Sequence, residues 1–262
     1  MTAEKTPMEP AGSYRCRRVN EPLVIDGDLD KPAWKTAAKT PRFLDIRDGL
    51  ALFDTRAALL WDDTALYVGL WLEDHDVWST DAERAGLLWP ENTAVINLAG
   101  PDAHYSLAVD PRGRIRELFF IWKDAYRRGS RWDIPEFDLA VHQPMVLGGD
   151  TRPHHTRGMR WLFFDWSFPG LERRVQVHGT LENRHDVDAG WTVELAFPWE
   201  GMRRLSDQIA PPRPGDCWRI SLGRTQVIDQ RAGIHTAVWA WPAPAGGELF
   251  DPDGYPPLEF VA

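Results

Sequence analysis

The sequence predicts an all-β protein: an antiparallel β-sandwich of the immunoglobulin or jelly-roll kind, with two sheets, long loops and one or two short helices. Three observations predict this class. Many short apolar stretches alternate with a period of two, turn-forming residues separate them at short intervals, and few stretches have helical spacing. With 262 residues, the chain has the length of one large β domain.

Residues 55–73 carry a strong strand signal and predict a hairpin. Two apolar runs flank a polar turn at residues 62–64. In the second run, one face carries four apolar residues: Leu66, Val68, Leu70 and Leu72. The residues between them are also largely apolar: Tyr67, Gly69 and Trp71. We therefore expect a central strand that is covered on both sides.

Shorter signals predict the other elements. A short strand at residues 23–25, an Asp-Gly turn and a helical turn with Pro32 near its start are expected to set Trp34 beneath the sheet. A short helix is expected at residues 199–205, and a loop and closing strand at residues 250–260. The alternation of apolar residues predicts further strands at 93–98, 105–109, 116–122, 175–179, 191–197, 218–225 and 236–241.

The domain organisation is simple. Residues 1–20 are expected to form a flexible lead-in, and residues 21–262 a single β-sandwich domain. Residues from about 123–172 are predicted to be a loop-rich insertion, because they are rich in Arg, His, Trp and Pro without a clean period. Long loops in compact domains tend to carry function, and this many aromatic residues argues against disorder.

The net charge of −9 argues against nucleic acid and an anionic membrane as partners. The hydrophobic content of 43% and the charged content of 26% are ordinary for a soluble globular protein. Residues 1–12 lack the apolar core of a signal peptide, and no segment is long enough to span a membrane. As it stands, the sequence indicates a cytoplasmic protein; removal of a signal peptide would make it periplasmic or extracellular.

Tryptophan is abundant, with 14 residues. Most are expected to fill the core, and the rest to offer flat faces on which the apolar C–H faces of sugars stack. Cys16 and Cys217 allow one disulfide, although their spacing does not require it.

The sequence lacks the motifs of common catalytic sites. It has no Gly-x-Ser-x-Gly elbow, no phosphate-binding glycine-rich loop and no His-Glu-x-x-His helix. Asp74 and Asp76 follow the hairpin and are candidate calcium ligands, because hard cations prefer oxygen; a solvated acidic turn is the alternative. No cofactor is required by these residues.

Seven segments carry a family resemblance through their order in the chain. They are I-D-G-D-L-D-K-P-A-W (25–34), W-D-D-T-A-L-Y-V-G-L-W-L-E-D (61–74), L-W-P-E-N-T-A-V-I-N (88–97), Y-S-L-A-V-D-P-R-G (105–113), V-H-G-T-L-E-N (177–183), G-W-T-V-E-L-A-F-P-W (190–199) and P-G-D-C-W-R-I-S-L-G-R (214–224). Together they resemble the family 9 carbohydrate-binding modules, which are DOMON-like β-sandwich proteins, and their stand-alone bacterial relatives.

The resemblance implies a non-catalytic protein that binds an oligo- or polysaccharide, or a sugar end, between aromatic rings. By position, Trp89 is an aromatic platform, Asn92 is a polar contact, and the segment Phe250-Asp251-Pro252 is a second aromatic region. Val95 and Ala108 stand where the family usually has polar residues. Modules of this kind are often attached to glycoside hydrolases, so a link to carbohydrate catabolism is also implied.

Charged and aromatic residues near strand ends complete the candidate ligand site. Arg114, Arg224 and Asp110 are candidate contacts to sugar hydroxyls, since charged partners strengthen hydrogen bonds. For Arg224 the alternative is a surface charge at a strand end. Trp239 and Trp241 are two residues apart on one strand face, where they either fill the core or display their rings.

Two other functions stay open. Haem-binding modules of the DOMON type hold the iron by a methionine with a histidine or a lysine. Here no spacing identifies the ligands, and the candidates are Met145, Met159 or Met202 with His142, His154 or His155. A glycoside-processing enzyme would take its acid or base from the loop-rich segment: Asp124, Asp133 or Glu136.

Overall fold

The computed structural model describes residues 12–79, 92–148, 155–206, 210–230, 233–244 and 248–262. The strands are β1 Tyr14–Arg18, β2 Leu44–Asp45, β3 Thr55–Trp61, β4 Ala65–Leu72, β5 Thr93–Ala99, β6 Ala103–Val109, β7 Ile115–Trp122, β8 Met145–Leu147, β9 Arg160–Phe163, β10 Glu172–His178, β11 Gly190–Pro198, β12 Cys217–Gln230, β13 Gly233–Trp241 and β14 Pro257–Val261. The helices are α1 Pro32–Thr36, α2 Leu139–His142 and α3 Trp199–Leu205, and 3₁₀ turns lie at Pro135–Phe137 and Pro252–Gly254.

The strands hydrogen-bond in the order β10-β11-β4-β3-β1-β14-β12-β5-β6-β7-β9-β8, and β13 pairs with both β12 and β2. This path folds into two layers over one core. A single cluster of buried side chains contains Val68 and Leu195 from the β10–β1 half together with Leu107 and Leu222 from the β12–β8 half. The predicted β-sandwich is therefore confirmed, and the hydrophobic core lies between its layers.

The sandwich departs in two details from the predicted pair of antiparallel sheets. Strand β1 pairs in parallel with both β14 and β3, and the other pairings are antiparallel where the structure describes them. Through β1 and β14 the two layers are continuous along one edge. Because β1 spans Tyr14–Arg18, the prediction of a flexible lead-in is wrong for these residues: buried Tyr14 and Cys16 anchor the strand in the core.

The predicted hairpin is formed by β3 and β4. Strand β4 lies between β3 and β11, and its outer face is covered by α1, whose Trp34 is fully buried. A Cβ atom at Gly69 would lie 3.3 Å from the Trp34 ring, so a larger residue there would require the ring to shift by a few tenths of an ångström. Residues 23–25, predicted as a strand, are irregular in the structure.

The buried carboxylate of Glu194 fastens α1 and the turn before it to the sheet. It accepts hydrogen bonds from the backbone N–H groups of Asp26 and Gly27, at 3.0 and 2.9 Å. It also accepts from the Trp34 indole at 2.8 Å and pairs with the Lys31 ammonium at 2.7 Å. These four partners compensate the burial of the charge.

The described residues of the loop-rich segment, 123–148 and 155–171, form short elements: a 3₁₀ turn, α2, β8 and β9. Its aromatic residues pack against Phe119 of β7 and extend the core; they are Trp132, Phe137 and Trp166. The segment also adds two strands, β9 and β8, to the edge of the second layer.

Within the described ranges, no helix combines the length and apolar character that a membrane crossing requires. Cys16 is buried, Cys217 is exposed, and both thiols are free.

Candidate functional site

Arg224, a predicted sugar contact, is fully buried. Its guanidinium pairs with the Asp74 carboxylate at 3.0 Å and donates to Gln226 Oε1 at 2.9 Å. It also donates to Thr55 Oγ1 at 3.0 Å, and its centre lies 5.0 Å from the Trp239 ring centroid. Burial lowers its pKa to about 10, against the opposing effect of Asp74. This environment is that of a structural cation inside the fold.

The two candidate calcium ligands have different surroundings. Asp74 is buried beside Arg224, and burial raises its pKa although the cation opposes the shift. Asp76 is half-exposed and lies 3.5 Å from Arg184. Calcium binding at this pair stays a prediction, and the ion pair with Arg224 already neutralises one of the two carboxylates.

Asn92 and Asp110 are also fully buried and bonded within the fold. Asn92 Oδ1 accepts from the Val227 backbone N–H at 2.8 Å. Asp110 closes the β6–β7 turn by accepting from the backbone N–H of Arg112 and of Arg114, and from Arg114 Nε at 2.6 Å. These contacts hold loops and strand ends in place, which is the structural alternative to ligand binding for residues of this kind.

The predicted aromatic platforms are divided between the core and the surface. Trp239 and Trp241 are buried, and Trp241 packs edge-on against Tyr14 with ring centroids 6.0 Å apart. Phe250 is half-buried on the outer face of the second layer. Trp89 falls in residues 80–91, outside the described part of the chain, so its role stays a prediction.

A cleft of about 270 Å³ opens beside Phe250 on the outer face of β7 and β9. Its walls combine apolar and charged side chains: Leu118, Phe120, Leu147, His155, Arg160, Leu162, Glu248 and Phe250. The volume is close to the lower end of the range of ligand clefts, roughly 300–1,000 Å³. An apolar floor with a few charged groups at the rim is the composition expected of a small-molecule site.

A cluster of apolar side chains lies between this cleft and Val95 and Ala108, the two positions where the family resemblance implies polar contacts. Val95 and Ala108 are neighbours on β5 and β6, on the same outer face. Leu249 and Ala240 pack with Val95, and Ala108 and Phe250 join the same cluster. A ligand on this face therefore cannot lie over Val95, and the open space is that of the neighbouring cleft.

Arg160 is the main charged group of the cleft. Its Nη1 donates to the Phe250 backbone carbonyl at 3.0 Å and lies 3.2 Å from His104 Nε2. Its Nε is buried and has no hydrogen-bond partner among the described residues, and no described carboxylate lies within ion-pair distance. Burial lowers the pKa of Arg160, against the opposing effects of Tyr255 and Asp251.

Two more buried polar groups near Arg160 lack a partner within the described ranges: His104 Nδ1 and the Tyr255 hydroxyl. The His104 ring is stacked on Phe120 with centroids 4.1 Å apart, and burial holds its pKa well below 6.5. Burial also raises the pKa of Tyr255, so that side chain stays a neutral hydroxyl. An unpaired buried donor or acceptor typically costs about 1–3 kcal/mol. Of the three residues, Arg160 lines the cleft, whereas His104 and Tyr255 lie behind its wall.

His155 joins the cleft to the segment that carries Phe250. Its Nε2 lies 3.3 Å from Asp251 Oδ1 and 3.0 Å from Asp253 Oδ2. These three side chains are close enough to hold a metal ion. However, Nδ1 accepts from the Arg157 backbone N–H at 3.1 Å, which places the neutral ring's proton on Nε2. The arrangement therefore favours hydrogen bonds from Nε2 to the two carboxylates over a metal–imidazole bond.

Several residues proposed for other functions have partners within the fold. His142 contacts Asp165 through one ring nitrogen and the Pro135 carbonyl through the other, while Met202 is buried in the core and His154 lies outside the described residues. Among the candidate acids, each carboxylate has a partner within the fold: Arg157 for Asp124, the Gly129 N–H for Asp133, and Trp166 and Arg204 for Glu136.

Most residues of the cleft were not identified from the sequence. Leu118 and Phe120 alternate with core residues along β7, so the strand pattern did contain a signal for a second apolar face. Arg160 and His155 lie in the loop-rich segment, where composition alone does not distinguish an arginine with an unsatisfied buried donor from a surface arginine.

Comparisons with known proteins show what the fold resembles. No profile of a known protein family matches the sequence, and no curated protein matches it. A family 9 carbohydrate-binding module from Caldicellulosiruptor kristjanssonii in complex with cellotriose superposes with a TM-score of 0.54, at 13% identity over 95% of this chain and 94% of the other. The same module in complex with glucose gives 0.53, at 13% identity over 95% and 96%.

A third structure, a protein from Bacteroides uniformis provisionally assigned as carbohydrate-binding, gives a TM-score of 0.58 at 12% identity, over 96% of this chain and 100% of the other. Since the likeness spans nearly the whole of each chain, this protein has the fold of the family 9 carbohydrate-binding modules. The fold that the seven segments predict is therefore confirmed.

Proposed function

We propose that this protein binds a saccharide, without converting it, in the cleft between Phe250 and Arg160. The solved proteins that share its fold include a module in complex with cellotriose and with glucose. Non-catalytic binding agrees with the structural roles of Asp124, Asp133 and Glu136, whose carboxylates hold neighbouring loops together.

The chemistry of the cleft suits a sugar ring. Phe250 and Phe120 supply apolar surface for the C–H face of a pyranose, and each sugar hydroxyl both donates and accepts hydrogen bonds. Arg160 supplies donors and Glu248 supplies acceptors in the same cleft. Charged partners make such bonds shorter and stronger than neutral ones.

The observation that carries the proposal is the unpaired Nε–H of Arg160. The Arg160 side chain is half-buried, and its Nε atom is fully buried. Buried donors are normally satisfied by a protein acceptor or water, and here no described protein atom accepts from Nε–H. A hydroxyl of a bound sugar supplies the missing acceptor. Because the Nε atom is buried, the lower local dielectric would increase the contribution of this bond to affinity.

Isothermal calorimetry against glucose, cellotriose, xylotriose and laminaritriose tests the proposal. Replacement of Arg160 by Lys keeps the charge and removes Nε–H, and we expect a loss of about 1.5–3 kcal/mol in binding, roughly tenfold to a hundredfold. Replacement of Phe250 by Leu keeps the apolar packing and removes the ring, with an expected loss of about 1 kcal/mol or more.

Arg174 and Val187 provide matched controls, since both are exposed and lie outside the cleft. We expect the Arg174→Lys and Val187→Ala variants to bind as the wild type does. If the wild type binds none of a broad glycan panel, or if the Arg160→Lys variant binds with unchanged affinity, the proposal is wrong.

A further inference from the structure

The floor of the cleft proposed to bind a saccharide is more aliphatic than aromatic. Leu162 of β9 lies directly opposite Phe120 on β7 and Met145 on β8. Leu118 precedes Phe120 by two residues on the same face of β7, and Leu147 follows Met145 by two residues on β8. Opposed side chains on neighbouring strands have Cβ atoms about 4.5–5.5 Å apart, so these residues form one continuous apolar surface.

Part of this apolar surface is exposed to solvent. Met145 is 52% exposed, and Leu118 and Leu147 are half-buried. Leu162 and Phe120 are buried at the base of the cleft. Single exposed apolar residues are common on protein surfaces, but a contiguous group beside a cleft is typical of a surface that a ligand covers. We therefore expect the bound molecule to carry an apolar group in addition to a sugar ring.

Three polar side chains are among the described residues that line the cleft: Arg160, Glu248 and His155. His155 Nε2 already faces the carboxylates of Asp251 and Asp253, at 3.3 and 3.0 Å. Glu248 is exposed, and it is close enough to Arg160 for its charge to oppose the lowering of the arginine pKa by burial. Arg160 and Glu248 therefore offer a ligand donors and acceptors of opposite charge, which does not by itself select an ionic ligand.

The surroundings of Arg160 suit a carbonyl oxygen better than a hydroxyl. Its cross-strand neighbours are Leu147 on β8 and Trp122 on β7. The centre of its guanidinium lies 5.1 Å from the Trp122 ring centroid and 5.7 Å from that of Phe120. A hydroxyl that accepts from Arg160 also needs an acceptor for its own proton, and these three side chains supply none. A carbonyl oxygen only accepts, so it places no polar hydrogen against them.

We propose that the saccharide bound in this cleft is acylated, as an acetamido sugar or as an acetyl ester. The acyl carbonyl accepts from Arg160, its methyl group lies against Leu147 and Leu162, and a ring hydroxyl or the amide N–H donates to Glu248. The two kinds of acyl sugar share the carbonyl and the methyl group, which are the features that the cleft would recognise. This inference rests on the proposed function and names the substrate class of that same site.

Calorimetric titration of the wild type with two matched pairs of probes tests the inference. Cellotriose and triacetylchitotriose share their backbone linkage and differ by an acetamido group in place of one hydroxyl on each ring. Xylotriose and acetylated xylotriose differ by the ester alone. We expect the acylated member of at least one pair to bind about tenfold more tightly than its partner, and the pair that responds distinguishes an acetamido sugar from an acetyl ester.

The outcomes separate this inference from the proposed function. Equal affinities within both pairs, or tighter binding of the unacylated members, would overturn the acyl inference and leave saccharide binding intact. If none of the four probes binds, the acyl inference is wrong, and the broad glycan panel decides independently whether the cleft binds any saccharide.

The Leu147→Asn variant tests the apolar contact, because it puts a polar side chain where the acyl methyl group would lie. We expect its preference for the acylated probe to fall by at least about threefold, with the affinity for the unacylated partner kept. Val146→Asn is the matched control, since Val146 is the next residue on the same strand, is 43% exposed and points to the opposite face. An unchanged preference in Leu147→Asn, or an equal fall in Val146→Asn, would contradict the inference. The wild-type comparison of probes does not depend on the folding of either variant.

Discussion

Arg224 Nη2 lies 3.0 Å from Asp74 Oδ2, and both side chains are buried. Removing either partner leaves an unpaired charge inside the protein, which typically costs about 3–5 kcal/mol. The pair explains why two residues that look like ligand contacts in the sequence are better understood as supports of the fold.

We therefore expect the Asp74→Ala variant to lose about 3–5 kcal/mol of unfolding free energy in urea denaturation. The matched control is Asp76→Ala, since Asp76 is half-exposed and lies 3.5 Å from its partner Arg184. That variant should lose at most about 1 kcal/mol. Equal losses of unfolding free energy in the two variants would show that the buried ion pair stabilises the fold no more than the exposed one.

Glu194 provides a second stability test. Replacing it by Ala removes the acceptor of the Asp26 and Gly27 N–H groups and of the Trp34 indole, so we expect a loss of about 3–5 kcal/mol. Hydrogen exchange should show faster exchange at the Asp26 and Gly27 amides. The β3–β4 ladder should keep its protection, and a uniform loss across the sheet would contradict this local role.

Stability should depend on pH through His104. Burial holds its pKa well below 6.5, so below about pH 6.5 the unfolded chain binds a proton that the folded protein does not. The contribution of His104 to the free energy of unfolding therefore has its full value above about pH 6.5 and decreases as the pH is lowered. In the His104→Gln variant, which keeps an acceptor for Arg160, the difference between about pH 7.5 and about pH 5.5 should be smaller. An unchanged difference would show that His104 is not buried in its neutral form.

The two thiols should differ in reactivity. Cys217 is exposed and Cys16 is fully buried, so a thiol reagent should modify one cysteine per native chain and two after unfolding. Burial raises the pKa of both thiols, so the native reaction should accelerate at alkaline pH. The Cys217→Ser variant should lose the native reaction. Two equally fast reactions in the wild type would contradict the structure.

The sandwich could be predicted from the sequence because the alternation of apolar and polar residues along a strand follows directly from which face is buried. The run from Leu66 to Leu72 has apolar residues on both faces, and β4 is indeed covered on both sides. Strand β1 escaped prediction because only Tyr14 and Cys16 of its five residues are apolar, and its parallel partners are more than 40 residues away along the chain.

The site was harder to predict because the type of a polar residue does not show whether its hydrogen bonds go to the protein or to a ligand. Asn92, Asp110 and Arg224 have the side chains that bind sugars, yet each is consumed by hydrogen bonds inside the fold. Arg160 has the same chemistry, and what distinguishes it is an unpaired donor, which only three-dimensional contacts reveal. Phe250 lies beside the cleft, and its segment was singled out by the family resemblance rather than by a residue pattern.

The central claim is that a sugar completes the hydrogen bonding of Arg160, and NMR observation of its side-chain Nε–H resonance tests this most directly. During titration with the glycan that binds most tightly in calorimetry, we expect this resonance to shift, to saturate with the calorimetric Kd and to exchange more slowly with solvent. A glycan that binds while the Arg160 resonance stays unchanged would contradict the account.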